Sequence, residues 1–106
     1  KRIYSNEEIL KCNSLVNSSS CYAKRFAAKE AFSKALGTGI SNGINFNEII
    51  VMNEKNGKPF IKLSGKTLKI IKKKFKKKPS ISLSLSDEKK YAVAFVTISL
   101  WLKLDS

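Results

Sequence analysis

Glu30 and Lys34 stand one helical turn apart in Arg25-Phe26-Ala27-Ala28-Lys29-Glu30-Ala31-Phe32-Ser33-Lys34-Ala35-Leu36, which runs into Gly37-Thr38-Gly39-Ile40. A carboxylate and an ammonium on one face suit phosphate chemistry. The carboxylate can hold a hard divalent cation or take a proton, and the ammonium can meet a developing phosphate charge. Gly37-Thr38-Gly39 adds backbone N–H groups unobstructed by Cβ, against which a phosphate could lie. The plain alternative is a solvated i,i+4 ion pair on a helix that ends at glycine. At 3.6 residues per turn Phe26, Glu30, Ser33/Lys34 and Gly37 form one stripe, and Ala28, Phe32, Ala35 and Leu36 another. The alanines between them lead to the expectation that most of this helix is buried.

The elements around this helix follow from punctuation and periodicity. Ser5 and Glu8 make a capping box for a short amphipathic helix whose apolar side is Ile9, Leu10, Leu15 and Val16. Asn17-Ser18-Ser19-Ser20 breaks the chain and starts the long helix, which runs to Leu36 with Gly37 as its stop. A strand over 47–53 is followed by an Asn56-Gly57 hairpin turn and a returning strand with Pro59 at its start. A second helix carries Leu68, Ile71 and Phe75 inward and is stopped by Pro79. Residues 80–86 alternate serine with Ile81, Leu83 and Leu85, a half-buried strand with one polar face. A turn at Asp87–Lys90 leads to a final strand over 91–104, apolar on both faces and so central in its sheet. The fold class is α+β: an antiparallel sheet packed against a long helix, one domain over residues 1–106.

Composition sets the limits. Across 106 residues the formal net charge is +13. Eight lysines fall within residues 66–78, and no acid does. Arginine is confined to Arg2 and Arg25, so a diffuse positive field is indicated and bidentate reading of bases is not. The lysine-rich helix admits three readings: steering of an acidic protein, non-specific nucleic-acid binding, or a solvated face. No apolar run is long enough to cross a bilayer. The lack of histidine excludes Ser-His-Asp and Cys-His catalysis. Cys12 and Cys21 do not form a metal-type pair. A disulfide between them is geometrically open, but free thiols in a reducing compartment are the expectation.

The helix Arg25–Ile40 closely resembles the signature of the holo-acyl-carrier-protein synthases, the bacterial-type 4'-phosphopantetheinyl transferases. Further matches follow in order: Lys1–Ile9, Asn56-Gly57-Lys58-Pro59, and Ser82–Ser86 ahead of Tyr91–Ala94. The resemblance implies transfer of the 4'-phosphopantetheine arm of coenzyme A to a serine of apo acyl carrier protein in fatty acid biosynthesis, with release of 3',5'-ADP. It implies a cytoplasmic enzyme, Mg²⁺, and a homotrimer with active sites between subunits. Neither a membrane nor a specific nucleic acid enters. By resemblance Glu30 is a metal ligand, and Lys34 contacts the diphosphate and stabilises or protonates the leaving group. Glu30, or a metal-bound water beside it, is the candidate to accept the serine proton. Coenzyme A would be held by Arg25, Phe26, Ser33, Lys34, Gly37, Thr38, Gly39, Ser86 and Asp87, with Arg25 and Phe26 at its nucleotide end. The bland alternative makes Phe26 core and Arg25 a solvated cap residue. Ser84 also falls in the coenzyme A region. Two departures stand out. The family opens with a strand bearing a Gly-x-Asp-Ile-type motif whose aspartate binds metal, and this chain begins after it, which leads to the expectation of little turnover if that strand is truly absent. Asp87 stands where the family often has histidine, and an anion there repels phosphate unless a lysine such as Lys89 or Lys90 faces it. The alternative function is a small basic nucleic-acid-binding module using 66–78.

Overall fold

The computed structural model of the chain describes residues 3–37, 43–75, 80–88 and 91–99. Helix α1 (Asn6–Asn13) opens on the expected capping box: the Ser5 hydroxyl accepts from the Glu8 amide, and the Glu8 carboxylate accepts from the Ser5 amide at 2.9 Å. Helix α2 (Ser18–Leu36) begins at Asn17, whose side chain accepts from the Ser20 amide, and ends at Gly37 with φ of +85°. A 3-10 turn (Phe46–Glu48) precedes strand β1 (Ile49–Asn53), so the expected strand over 47–53 starts two residues later. Gly57, with φ of +91°, turns the chain into β2 (Pro59–Leu63). Helix α3 (Gly65–Phe75) and strands β3 (Ser80–Glu88) and β4 (Tyr91–Ser99) complete the described elements.

Several expectations change. Instead of one sheet there are two antiparallel ribbons, β1–β2 and β3–β4, with no ladder joining them among the described residues, although β2 lies beside β3. Helix α2 packs against β3 and β4 as well as α1 and β1. Asp87 and Glu88 extend β3, paired with Ala92 and Tyr91, rather than turning. Leu10, Leu15 and Val16 are exposed: Leu10 lies on the outward face of α1, and Leu15 and Val16 fall beyond the helix, which stops at Asn13. Cys12 and Cys21, on α1 and in the first turn of α2, lie with Cα atoms 5.4 Å apart and form a disulfide, not the free thiols expected. The Ser–Leu alternation holds, with Ser82 and Ser84 exposed and Ile81, Leu83 and Leu85 half-buried. The side chains that would show β4 buried on both faces, and Pro79, lie outside the described residues.

The core joins Phe32 and Leu36 of α2 to Ile49, Leu63 and Ile71, with Leu68 and Phe75 packed against it as the period of α3 requires. The start of α3 is held by a carboxylate from far off in sequence. Glu48 Oε1 accepts from the Thr67 amide (2.9 Å) and hydroxyl (2.7 Å), while Oε2 accepts from the Lys66 amide (3.1 Å). These donors, first among them the Thr67 hydroxyl, hold the Glu48 carboxyl below its ordinary pKa. A group depressed on folding stabilises above its unfolded pKa and loses that contribution as pH falls through its folded pKa. Wild-type protein is therefore expected to exceed Glu48→Gln in urea stability by about 1 kcal/mol at neutral pH, with the gap closing below pH 4.5. Gly65 permits this cap. Its φ is +58°, and a Cβ there would come within 2.1 Å of Glu48 Oε2.

Candidate functional site

Helix α2 sorts the sequence-derived site residues by angle. The arc of Cys21, Arg25, Ala28, Lys29, Phe32 and Leu36 is buried. Glu30 and Lys34 are exposed, as is Ala35, so less of the helix is covered than its alanines suggested. At i,i+4 the two charged side chains share one face, yet no ion pair joins them among the described residues. Each is thus available to a ligand. Phe26 and Ser33 are half-buried at the margin of this face. The Phe26 ring meets Phe46 edge-on at 6.2 Å, and it lines a cleft of about 510 Å³ with Ile3, Ile44 and Asn47.

Arg25 stands elsewhere. It is 5% exposed, well inside α2, and so is no solvated cap residue. At 100° per residue it is about 140° round the helix from Glu30 and about 180° from Lys34. Its Nη2 donates to Asn53 Oδ1 at 3.1 Å, and its Nε is buried with no hydrogen-bond partner among the described residues. Burial pulls the guanidinium pKa below its usual value, with nearby Glu8 opposing. Arg25 lines a cleft of about 850 Å³ whose rim carries Lys11, Lys24 and Lys55. An unpaired buried donor beside lysines suits a phosphate. Of the proposed residues on α2, Arg25 therefore stands on one side, and Phe26, Glu30, Ser33 and Lys34 on or beside the other. Gly37 is exposed just beyond the Lys34 turn. Thr38 and Gly39 lie outside the described residues. Ser86 and Asp87 lie in β3, but their side chains are outside those described.

Lys29, not singled out from the sequence, is the fully buried polar centre. Its Nζ donates to Glu8 Oε1 (2.7 Å), the Phe46 carbonyl (2.7 Å) and the Ile49 carbonyl (2.5 Å). Glu8 Oε2 accepts from the Val51 amide at 2.9 Å. The ammonium also lies 5.7 Å from the Tyr4 ring centroid. Burial lowers the Lys29 pKa, opposed by the bond to Glu8. The sequence held one signal: Lys29 falls within the angular arc of Arg25, Phe32 and Leu36.

Among the described residues no group of three metal-type side chains converges. Glu30 offers a single exposed hard oxygen donor. That fits Mg²⁺, which uses one or two carboxylates and takes its remaining ligands from substrate phosphates and water. The lysines of α3 at 66, 69, 72, 73 and 74 are exposed, and 76–78 lie outside the described residues.

A family model described as the 4'-phosphopantetheinyl transferase superfamily matches residues 1–96. A holo-[acyl-carrier-protein] synthase of Pelagibacter ubique is 52% identical over 99 residues, which cover 92% of this chain and 77% of that protein. The crystal structure of the synthase from Neisseria meningitidis superposes with a TM-score of 0.79 at 38% identity, covering 93% of this chain and 78% of that one. The Helicobacter pylori synthase in complex with coenzyme A gives 0.73 at 33% identity, covering 92% and 78%. These relatives do not support the alternative of a nucleic-acid-binding module.

Proposed function

We propose, since the chain belongs to the 4'-phosphopantetheinyl transferase superfamily, that it moves the 4'-phosphopantetheine arm of coenzyme A to a serine hydroxyl of apo acyl carrier protein, releasing 3',5'-ADP. The observation that carries this reading is the exposed Glu30–Lys34 face on a helix whose sequence resembles the family's signature, in a chain that the family model matches over residues 1–96. Mg²⁺ held by Glu30 and the substrate phosphates would neutralise the diphosphate and polarise the phosphorus under attack. The Glu30 carboxylate is the group to accept the serine proton. The Lys34 ammonium, on the same face, meets the charge that grows on the leaving phosphate, an interaction stronger in the transition state than in the ground state. The Phe26 cleft and the Gly37 turn border that face, where the pantetheine arm or a phosphate can lie. The cell interior holds coenzyme A and the acyl carriers of fatty acid biosynthesis, so the reading places the enzyme in the cytoplasm.

The angular separation of Arg25 from Glu30 favours a site between copies of the chain, which is compatible with the homotrimer that the family resemblance implies. A single coenzyme A reaching both the buried guanidinium and the Glu30–Lys34 face lies most simply between two copies, the Arg25 side of one against the Glu30 side of the next. The exposed lysines of α3 add a field that attracts an acidic carrier.

The test is intact mass. Apo acyl carrier protein incubated with the enzyme, coenzyme A and Mg²⁺ is expected to gain one phosphopantetheine group, and coenzyme A is expected to raise the enzyme's melting temperature. An unmodified carrier with no thermal response overturns the reading.

A further inference from the structure

We infer that Lys29 and Glu8 are positioning residues for the transfer, a role that rests on the proposed function. Lys29 immediately precedes Glu30 on α2, and both members of the pair have fully buried side chains. The ammonium is gripped at once by α1 through Glu8, by the 3-10 turn through the Phe46 carbonyl and by β1 through the Ile49 carbonyl. Glu8 is itself pinned by the Ser5 and Val51 amides. Apolar packing along the same arc resists separation of the helix from the core, but the hydrophobic driving force is itself non-directional. Three hydrogen bonds converging on one nitrogen are directional. They fix the rotation of α2 about its own axis, and with it the aim of Glu30 and Lys34 one and five residues on. Misplacement of reacting groups by about 1 Å is enough to cost about 100-fold in rate.

The test compares Glu8→Gln/Lys29→Met with Lys29→Arg in the whole protein. Gln keeps an acceptor for the Ser5 and Val51 amides, and Met fills the lysine volume without charge. Arg keeps the charge but is too long and planar for the three acceptors. Folding is read by urea midpoint and kcat and KM for coenzyme A by mass-resolved transfer. For whichever variants fold, kcat is expected to fall about 100-fold in the double variant and about 10-fold in Lys29→Arg, with KM for coenzyme A within about threefold. That split marks misaimed chemistry, because a purely structural role changes the folded fraction and leaves kcat per folded molecule intact. A folded variant of either kind with wild-type kcat overturns the positioning role. Glu30→Gln in the same assay separates the two levels: wild-type transfer by that variant removes the Glu30 chemistry itself, whereas wild-type kcat in the Lys29 variants alone removes only the positioning.

Discussion

Lys29→Met alone is expected to lose about 3–5 kcal/mol of stability, the largest single effect on the fold. The lost attraction is not the main cause. Taking away the ammonium leaves Glu8, whose side chain is 0% exposed, as an uncompensated buried charge, and it leaves the Phe46 and Ile49 carbonyls without their donor. Adding Glu8→Gln removes that stranded charge, so the double variant is expected to recover much of the loss. Urea unfolding of the two proteins side by side checks this. Equal destabilisation in both would mean that charge burial is not the cause, whereas wild-type stability in Lys29→Met would mean that the pair contributes nothing.

Lys34→Ala is expected to lower kcat by roughly 100- to 1,000-fold, the range found when one preorganised charge-stabilising group is removed. The fold should hardly change, because Lys34 is exposed and has no ion-pair partner among the described residues. Removing a solvated surface lysine usually alters stability by less than about 0.5 kcal/mol. A drop in kcat with an unchanged urea midpoint is thus the signature of transition-state work. A rise in KM for coenzyme A at constant kcat would instead make Lys34 a uniform binding contact. Lys34→Arg should recover little, since a planar guanidinium does not replace a compact ammonium.

The sequence made the frame of this site readable where structure is set locally. Asn17 and Gly37 bracket α2 because an N-cap acceptor and a left-handed stop act within a turn of themselves. Asn56-Gly57 marked the β1–β2 turn for the same reason, and the Ser–Leu alternation marked β3. The failures are long-range. Glu8 was fully explained by its capping box, so nothing local announced its bond to Lys29, 21 residues on. Glu48 caps α3 from 19 residues before Thr67, a tertiary contact that no propensity encodes. Leu15 and Val16 had a helical period but no helix long enough to use it, and Leu10, within α1, faces outward. Grouping Arg25 with Glu30 followed the signature as a string, whereas the helix turns about 140° between them.

The claim on which the rest depends is that Glu30 performs chemistry at a coenzyme A-derived diphosphate. It is tested most directly by single-turnover transfer to apo acyl carrier protein by Glu30→Gln, resolved by intact mass. The expected result is a protein with a wild-type urea midpoint whose transfer is slowed at least 100-fold. Transfer at the wild-type rate by that folded variant would contradict the account.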